Sequence, residues 1–303
     1  MAIFLAIFAS FIWGVSNHID KFMISEIEPK DGIKILLVFS TLIAGVVLTP
    51  IWLILSNFDV SISLTSLISI LAGAVVYIIA IVFYFKAMEE NDASIVIVMS
   101  QMLPIFSYIL ALILFKETLS LAKIIGSIII MFSAVIISFD FKEKNSKKKF
   151  KALILMTLSS VFCAIYFILF DVGIRNSSYY SCAFWYQIGL LIMGIFLLLL
   201  RAFREPFVKA IKRNGKRYLI LNTINEVLNL VAHLLVNYAN LLIPIALVNV
   251  LNGFQGAFVF ILGILGTIFF PKYIKEDLSK SAVIQKIICI VLGIIGLIIL
   301  VYN

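Results

Sequence analysis

Charged residues make up only 13% of this 303-residue chain, about half the roughly 25% of a soluble domain. That is too little charge to cover a globular surface. Cysteine is scarce as well. Cys163, Cys182 and Cys289 lie inside apolar stretches, with neither metal-ligand spacing nor a disulfide framework, and read as packing residues. There are two histidines, His18 and His233, and no carboxylate pair within any one apolar run. Glu89-Glu90 and Glu276-Asp277 fall at the boundaries of such runs, where solvated charge is the ordinary reading. Clustered acids for Mg²⁺ and a Ser/His/Asp arrangement are both missing, which disfavours a membrane enzyme. No Gly-rich phosphate loop is present either, so direct ATP drive is not expected. Neither a metal nor a cofactor is expected, and no residue is assigned a catalytic role.

What fills the chain instead is apolar. Hydrophobic residues account for 63% of it, and the mean hydropathy is +1.16. They come in blocks of about 20, the length that crosses roughly 30 Å of hydrocarbon. The reading is an all-α, multi-pass membrane protein with ten spans. These run over 2–24, 33–55, 64–88, 91–114, 120–139, 151–173, 178–200, 219–241, 242–270 and 281–302. The first has no basic stretch before it and no small-residue cleavage site after it, and is read as a retained helix. Of the 24 Lys and Arg, all but Lys116, Lys123 and Arg175 fall on one side of this topology. The positive-inside rule puts that side in the cytoplasm of a plasma (inner) membrane and both termini outside. "FKEKNSKKKFK" and "RAFREPFVKAIKRNGKRY" are then cytoplasmic loops. Their basic residues abut helix ends without interleaved aromatics, so the net charge of +8 is a topology signal and not a nucleic-acid footprint.

The chain also repeats itself. "KETLS" (Lys116–Ser120) precedes span 5 and "KEDLS" (Lys275–Ser279) precedes span 10, each followed by an apolar stretch with spaced small residues, Gly126 and Ser133 or Gly293 and Gly296. Two halves, 1–140 and 151–303, are joined by the basic linker 141–150. An odd number of spans per half turns the second upside down, the inverted repeat of many secondary transporters. "FYFKAM" (Phe83–Met88), "LFKETLS" (Leu114–Ser120), the Gly-spaced span 5 and the W-G-x-x-N of Trp13, Gly14 and Asn17 together resemble the EamA family of the drug/metabolite transporter superfamily. The resemblance implies ten helices in two inverted five-helix repeats. Relatives usually keep their termini in the cytoplasm, whereas the charge count here puts them outside.

Ionisable and amide side chains inside spans cost about 2.5–3.5 kcal/mol each at the centre if charged, so they mark candidate sites. Span 8 carries Asn222, Glu226, Asn229, His233, Asn237 and Asn240 at steps of three and four, one face of a helix, with Asn225 at its border. This face either glues helices together or lines a hydrated path. Asn249, Asn252 and Gln255 in span 9 admit the same two readings. Gln101, Tyr77 and Tyr166 join Trp13 and Asn17 as candidate cavity residues. Glu226 and His233 are candidates for proton coupling. His18, Asp20 and Lys21 form either an inner gate or, for the last two, an interfacial pair.

The expected function is a secondary transporter for a small polar or zwitterionic metabolite, amino acid or amine-like, working by alternating access. A lipid or lipid-linked-precursor flippase and, less favoured, a polytopic membrane enzyme are the alternatives. Expected partners are the substrate and membrane lipid, without nucleic acid; a homodimer is compatible with such a chain.

Overall fold

A computed structural model describes residues 1–24, 31–115, 120–138, 146–243, 248 and 251–301. Helix is the only regular structure among them. Eight helices, some of them broken, have the length and apolarity to cross a membrane; Ile124–Ile137 and Gln255–Phe269 are shorter apolar helices. Together they make up the ten spans.

Span 1 is α1 (Ala2–Phe22). Span 2 is α2 (Gly32–Ile43), a π-helical turn (Ala44–Leu48) and α3 (Thr49–Leu55). Span 3 is α4 (Leu64–Glu90), started by Ser63, whose side chain accepts from the Ser66 amide. Span 4 is split into α5 (Ala93–Ser100) and α6 (Leu103–Phe115). The break falls at Gln101 and Met102, just before Pro104, which has no amide proton to continue the ladder. Span 5 is α7 (Leu121–Ser138) and span 6 is α8 (Ser146–Arg175). Span 7 is α9 (Tyr179–Leu199), capped by Ser178. Span 8 lies within α10 (Arg201–Leu242), span 9 contains α11 (Gln255–Phe269), and span 10 is α12 (Lys280–Val301).

Two segments expected as loops are helical. The last five residues of the linker, 146–150, already belong to α8. "RAFREPFVKAIKRN" is the first part of α10, separated from span 8 by non-helical backbone at Asn214 (φ −140, ψ 23). Phe203, Phe207 and Ala210 recur at steps of four and three and pack into the core, while Arg201, Arg204, Lys209, Lys212 and Arg213 are exposed. An amphipathic helix absorbs this much charge on its outer face, which the count of basic residues alone conceals.

The packing has a pseudo-twofold pattern. If each span of the first half is exchanged for its counterpart five further on, the helix pairs map onto one another. Span 3 packs on span 6 as span 8 packs on span 1; span 2 packs on span 8 as span 7 packs on span 3; span 1 packs on span 9 as span 6 packs on span 4. Spans 5 and 10, 2 and 7, and 4 and 9 pair across the axis itself. These are the pairings that an inverted repeat of five spans per half would make. The 5–10 pair is close because of its small residues: a Cβ at Gly296 would meet the Gly126 carbonyl at 2.9 Å. In the same helix a Cβ at Gly293 would collide with the Gln101 amide.

Candidate functional site

Spans 1, 2, 3, 4, 6, 7 and 8 line a central cavity of about 420 Å³, within the roughly 300–1,000 Å³ of small-molecule sites. Its two principal walls are unlike. Spans 1 and 8 supply Trp13, Ser16, Asn17, Asp20, Asn225, Glu226, Asn229 and His233. Spans 3 and 6 supply Tyr77, Tyr84, Phe85, Tyr166, Phe167 and Phe170, with Ser159, Ser160 and Cys163 between them.

On the first wall, the three- and four-residue steps of span 8 turn Glu226, Asn229 and His233 to the cavity. Asp20 is 9% exposed and accepts from Asn225 Nδ2 at 2.8 Å. Ser16 donates to Asn229 Oδ1 (3.2 Å), and Asn222 Nδ2 donates to Ser40 Oγ (2.9 Å). Trp13 meets the His233 ring edge-on at 5.3 Å. Two carboxylates from different spans therefore face one cavity, an arrangement that a search for pairs within a span does not find.

On the second wall, Tyr77, Tyr166 and Tyr186 form a triangle of rings with centroids 5.1–5.9 Å apart. Phe170 bridges it to Tyr179, which packs edge-on against Trp52. The cavity-lining residues also offer unfilled hydrogen-bonding capacity: Trp52 Nε1, Gln187 Oε1 and Asn225 Oδ1 are buried without a protein partner.

The end toward the basic loops is closed. Phe39 stacks with Tyr218 (5.3 Å) and touches Phe207 (4.8 Å), under the amphipathic part of α10. Lys21 Nζ donates to the carbonyls of Met88 and Glu89 (2.7 and 3.0 Å), a cation on the C-terminus of α4. Asn17 ties the walls together. Its Nδ2 donates to Tyr84 Oη, and its Oδ1 accepts from Gln255 Nε2, both at 2.8 Å. Toward the other end, Tyr179 is 38% exposed.

Trp13, Asn17, Tyr77, Tyr166, Glu226, Asn229 and His233 thus lie on the cavity, and so does Asp20. Gln101 does not. Its Nε2 donates to the Gly253 carbonyl (3.3 Å), where glycines of spans 9 and 10 leave room for it. Asn252 is not among the lining residues, and Asn249 lies outside the described residues. Of the expected gate, His18 turns away and hydrogen-bonds Val259 O (2.8 Å). Lys21 is engaged with α4 and does not pair with Asp20. Tyr186, Tyr179, Trp52 and Gln187 line the cavity unexpectedly, their signal being aromatics and amides recurring near the ends of spans 2 and 7.

Glu276 also departs from expectation. Its side chain, like that of Lys286, is 2% exposed, and the two form an ion pair. Lys286 also reaches Asp92 (2.6 Å). Ser94 donates to Glu276 through its hydroxyl at 2.8 Å. Burial, then the Asp92 charge, pushes the Glu276 carboxyl up to about 7, against the pull of Lys286 and Ser94. This cluster joins span 10 to the turn between spans 3 and 4, outside the cavity.

No curated protein matches the chain. Residues 1–139 match the EamA-like transporter family. The match covers the first repeat of this multi-pass membrane protein, which over that stretch is similar to EamA-like transporters.

Proposed function

We propose that the chain is a secondary transporter that carries a small aminated metabolite, an amino acid or amine, by alternating access about the central cavity. The observation that carries this reading is the division of the cavity between its walls. Asp20 and Glu226 offer negative charge to an ammonium group, and the amides beside them offer donors and acceptors. Across from them, the tyrosine cluster gives an aromatic surface that suits both an apolar body and a cation. Glu226 and His233 are the groups assigned to proton exchange as access alternates, in a plasma membrane with the basic loops on the cytoplasmic side. Closure at the basic end and exposure of Tyr179 at the other support a state open away from the basic face. A flippase is less well supported, because the lateral apolar groove of the molecule shares no lining residue with the cavity.

The test is a ligand-stabilisation screen of the purified protein against amino acids, amines, nucleosides and sugars, followed by flux in proteoliposomes. Aminated compounds are expected to raise the melting temperature, and Glu226→Gln to abolish or uncouple their flux while the protein stays folded. Stabilisation by sugars alone, or unchanged flux and pH dependence in Glu226→Gln, would overturn the assignment.

A further inference from the structure

A second and larger concavity lies outside the cavity, on the lipid-facing side of α1, α10 and α11. It measures about 840 Å³ and is lined by Ile19, Phe22, Ile220, Leu262, Leu265 and Phe269, among other apolar residues. Its polar lining residues sit toward one end. Lys216 and Arg217 stand at the basic face, both exposed. The Arg217 guanidinium lies 5.2 Å over the Phe22 ring, so its stem runs along the groove while its charge remains at the rim. His18 and Tyr273 are the other titratable lining groups, and the Nε2 of His18 is engaged by the Val259 carbonyl. Among the described residues, no carboxylate lines the groove.

The surroundings carry the same sign. Lys272 lies within the segment Phe270–Ile274 that lines the groove and Lys275 follows it, and both are exposed. The amphipathic part of α10, which ends at the Asn214 break, turns Arg201, Arg204, Lys209 and Lys212 outward, and none of them lines the groove. A basic amphipathic helix beside a membrane helix is suited to lie against an anionic leaflet. Here it leads into an apolar channel with two cations at its mouth.

We propose that this groove holds one anionic glycerophospholipid of the leaflet adjoining the basic face. An acyl chain lies against α1, α10 and α11, and the phosphate sits on Lys216 and Arg217. The occupant is identified by charge complementarity. A neutral lipid or a second apolar helix would use the groove and leave the two cations unanswered, whereas an anionic headgroup uses both parts. The site is separate from the transport cavity, with which it shares no lining residue.

The experiment uses delipidated full-length protein titrated with phosphatidylglycerol or phosphatidylcholine of identical chains. Bound lipid is counted by native mass spectrometry and affinity is followed by melting temperature. Phosphatidylglycerol is expected to bind more tightly than phosphatidylcholine. In Lys216→Gln/Arg217→Gln its affinity falls by about fivefold per charge removed, and that of phosphatidylcholine stays the same. Leu265→Trp, which fills the groove, weakens both lipids. Lys209→Gln/Lys212→Gln, on the same basic helix but away from the mouth, leaves the preference in place.

Equal affinity of the wild-type chain for the two lipids overturns the proposal without reference to any variant. An equal loss in the Lys209/Lys212 variant overturns it in favour of a diffuse basic surface. A Leu265→Cys chain that cross-links to a second copy overturns it in favour of a dimer contact.

Discussion

The two walls of the cavity occupy equivalent places in the repeat and have opposite chemistry. Span 8 packs on span 1 as span 3 packs on span 6, yet the first pair presents two carboxylates, amides and an imidazole while the second presents mainly rings. In the proposed transport cycle, the symmetry of the backbone serves the movement of one half against the other. The asymmetry of the side chains there serves recognition, because a molecule held between unlike walls is held in one orientation. A duplicated fold does not therefore imply a duplicated site.

That contrast is sharpened first by a change belonging to neither wall. Lys286→Met leaves Asp92 and Glu276 without their cation in a buried place, and a loss of about 3–5 kcal/mol of stability is expected. Thermal or denaturant unfolding in detergent measures it, and adding Glu276→Gln should recover part of the loss. Were the ligand affinity of the folded fraction to fall as well, cluster and cavity would not be independent.

On the polar wall, Asp20→Asn/Glu226→Gln removes both negative charges facing the ligand. Charge-assisted hydrogen bonds are worth about 1.5–3 kcal/mol each, so affinity for an aminated ligand should drop by at least about a hundredfold. Titration calorimetry on the purified variant reads this directly. On the aromatic wall, Tyr166→Leu should cost about 0.5–2 kcal/mol, and more for a cationic than for a neutral ligand. If the tyrosine proved the costlier of the two walls, the division of roles would be reversed. Asn17→Leu, which cuts the bonds to Tyr84 and Gln255, should cost about 1 kcal/mol of stability and loosen one wall against the other. Hydrogen exchange at Tyr84 and Gln255 would reveal it.

The smallest effect is one of pH. The Glu276 carboxyl is raised from its ordinary 4.5 to about 7, so the folded chain holds a proton there that the unfolded chain has released. Its contribution to stability therefore falls as pH rises between those values. Glu276→Gln should flatten that part of the melting-temperature profile.

Much of this was legible in the sequence, for physical reasons. Ten apolar blocks announced the spans, because crossing a bilayer fixes length and composition. Glu226, Asn229 and His233 stood out by their three- and four-residue steps on an otherwise apolar helix. Tyr186 and Tyr179 did not, since an aromatic near a span end is usually an interfacial anchor, and only the approach of spans 2, 6 and 7 gathers the rings. Lys286 was counted with the basic loops, and Glu276 was read as solvated. Their burial depends on a turn 182 residues away in sequence, where Ser94 meets Glu276. Gln101 erred the other way: an amide beside a proline suggests a binding site, but glycines of spans 9 and 10 enclose it.

The contact between Lys21 and the end of α4 has a mechanical consequence. It joins span 1, on the polar wall, to span 3, on the aromatic wall, at the face where the cavity is shut. Both sides of this fastening lie at the ends of their helices, so separation leaves the ammonium and the two carbonyls to water instead of stranding them in hydrocarbon. The net free energy of such an exchange is small. A latch of this kind registers the two walls when they meet and offers little resistance when they part, which suits the closing and reopening of the proposed transport cycle.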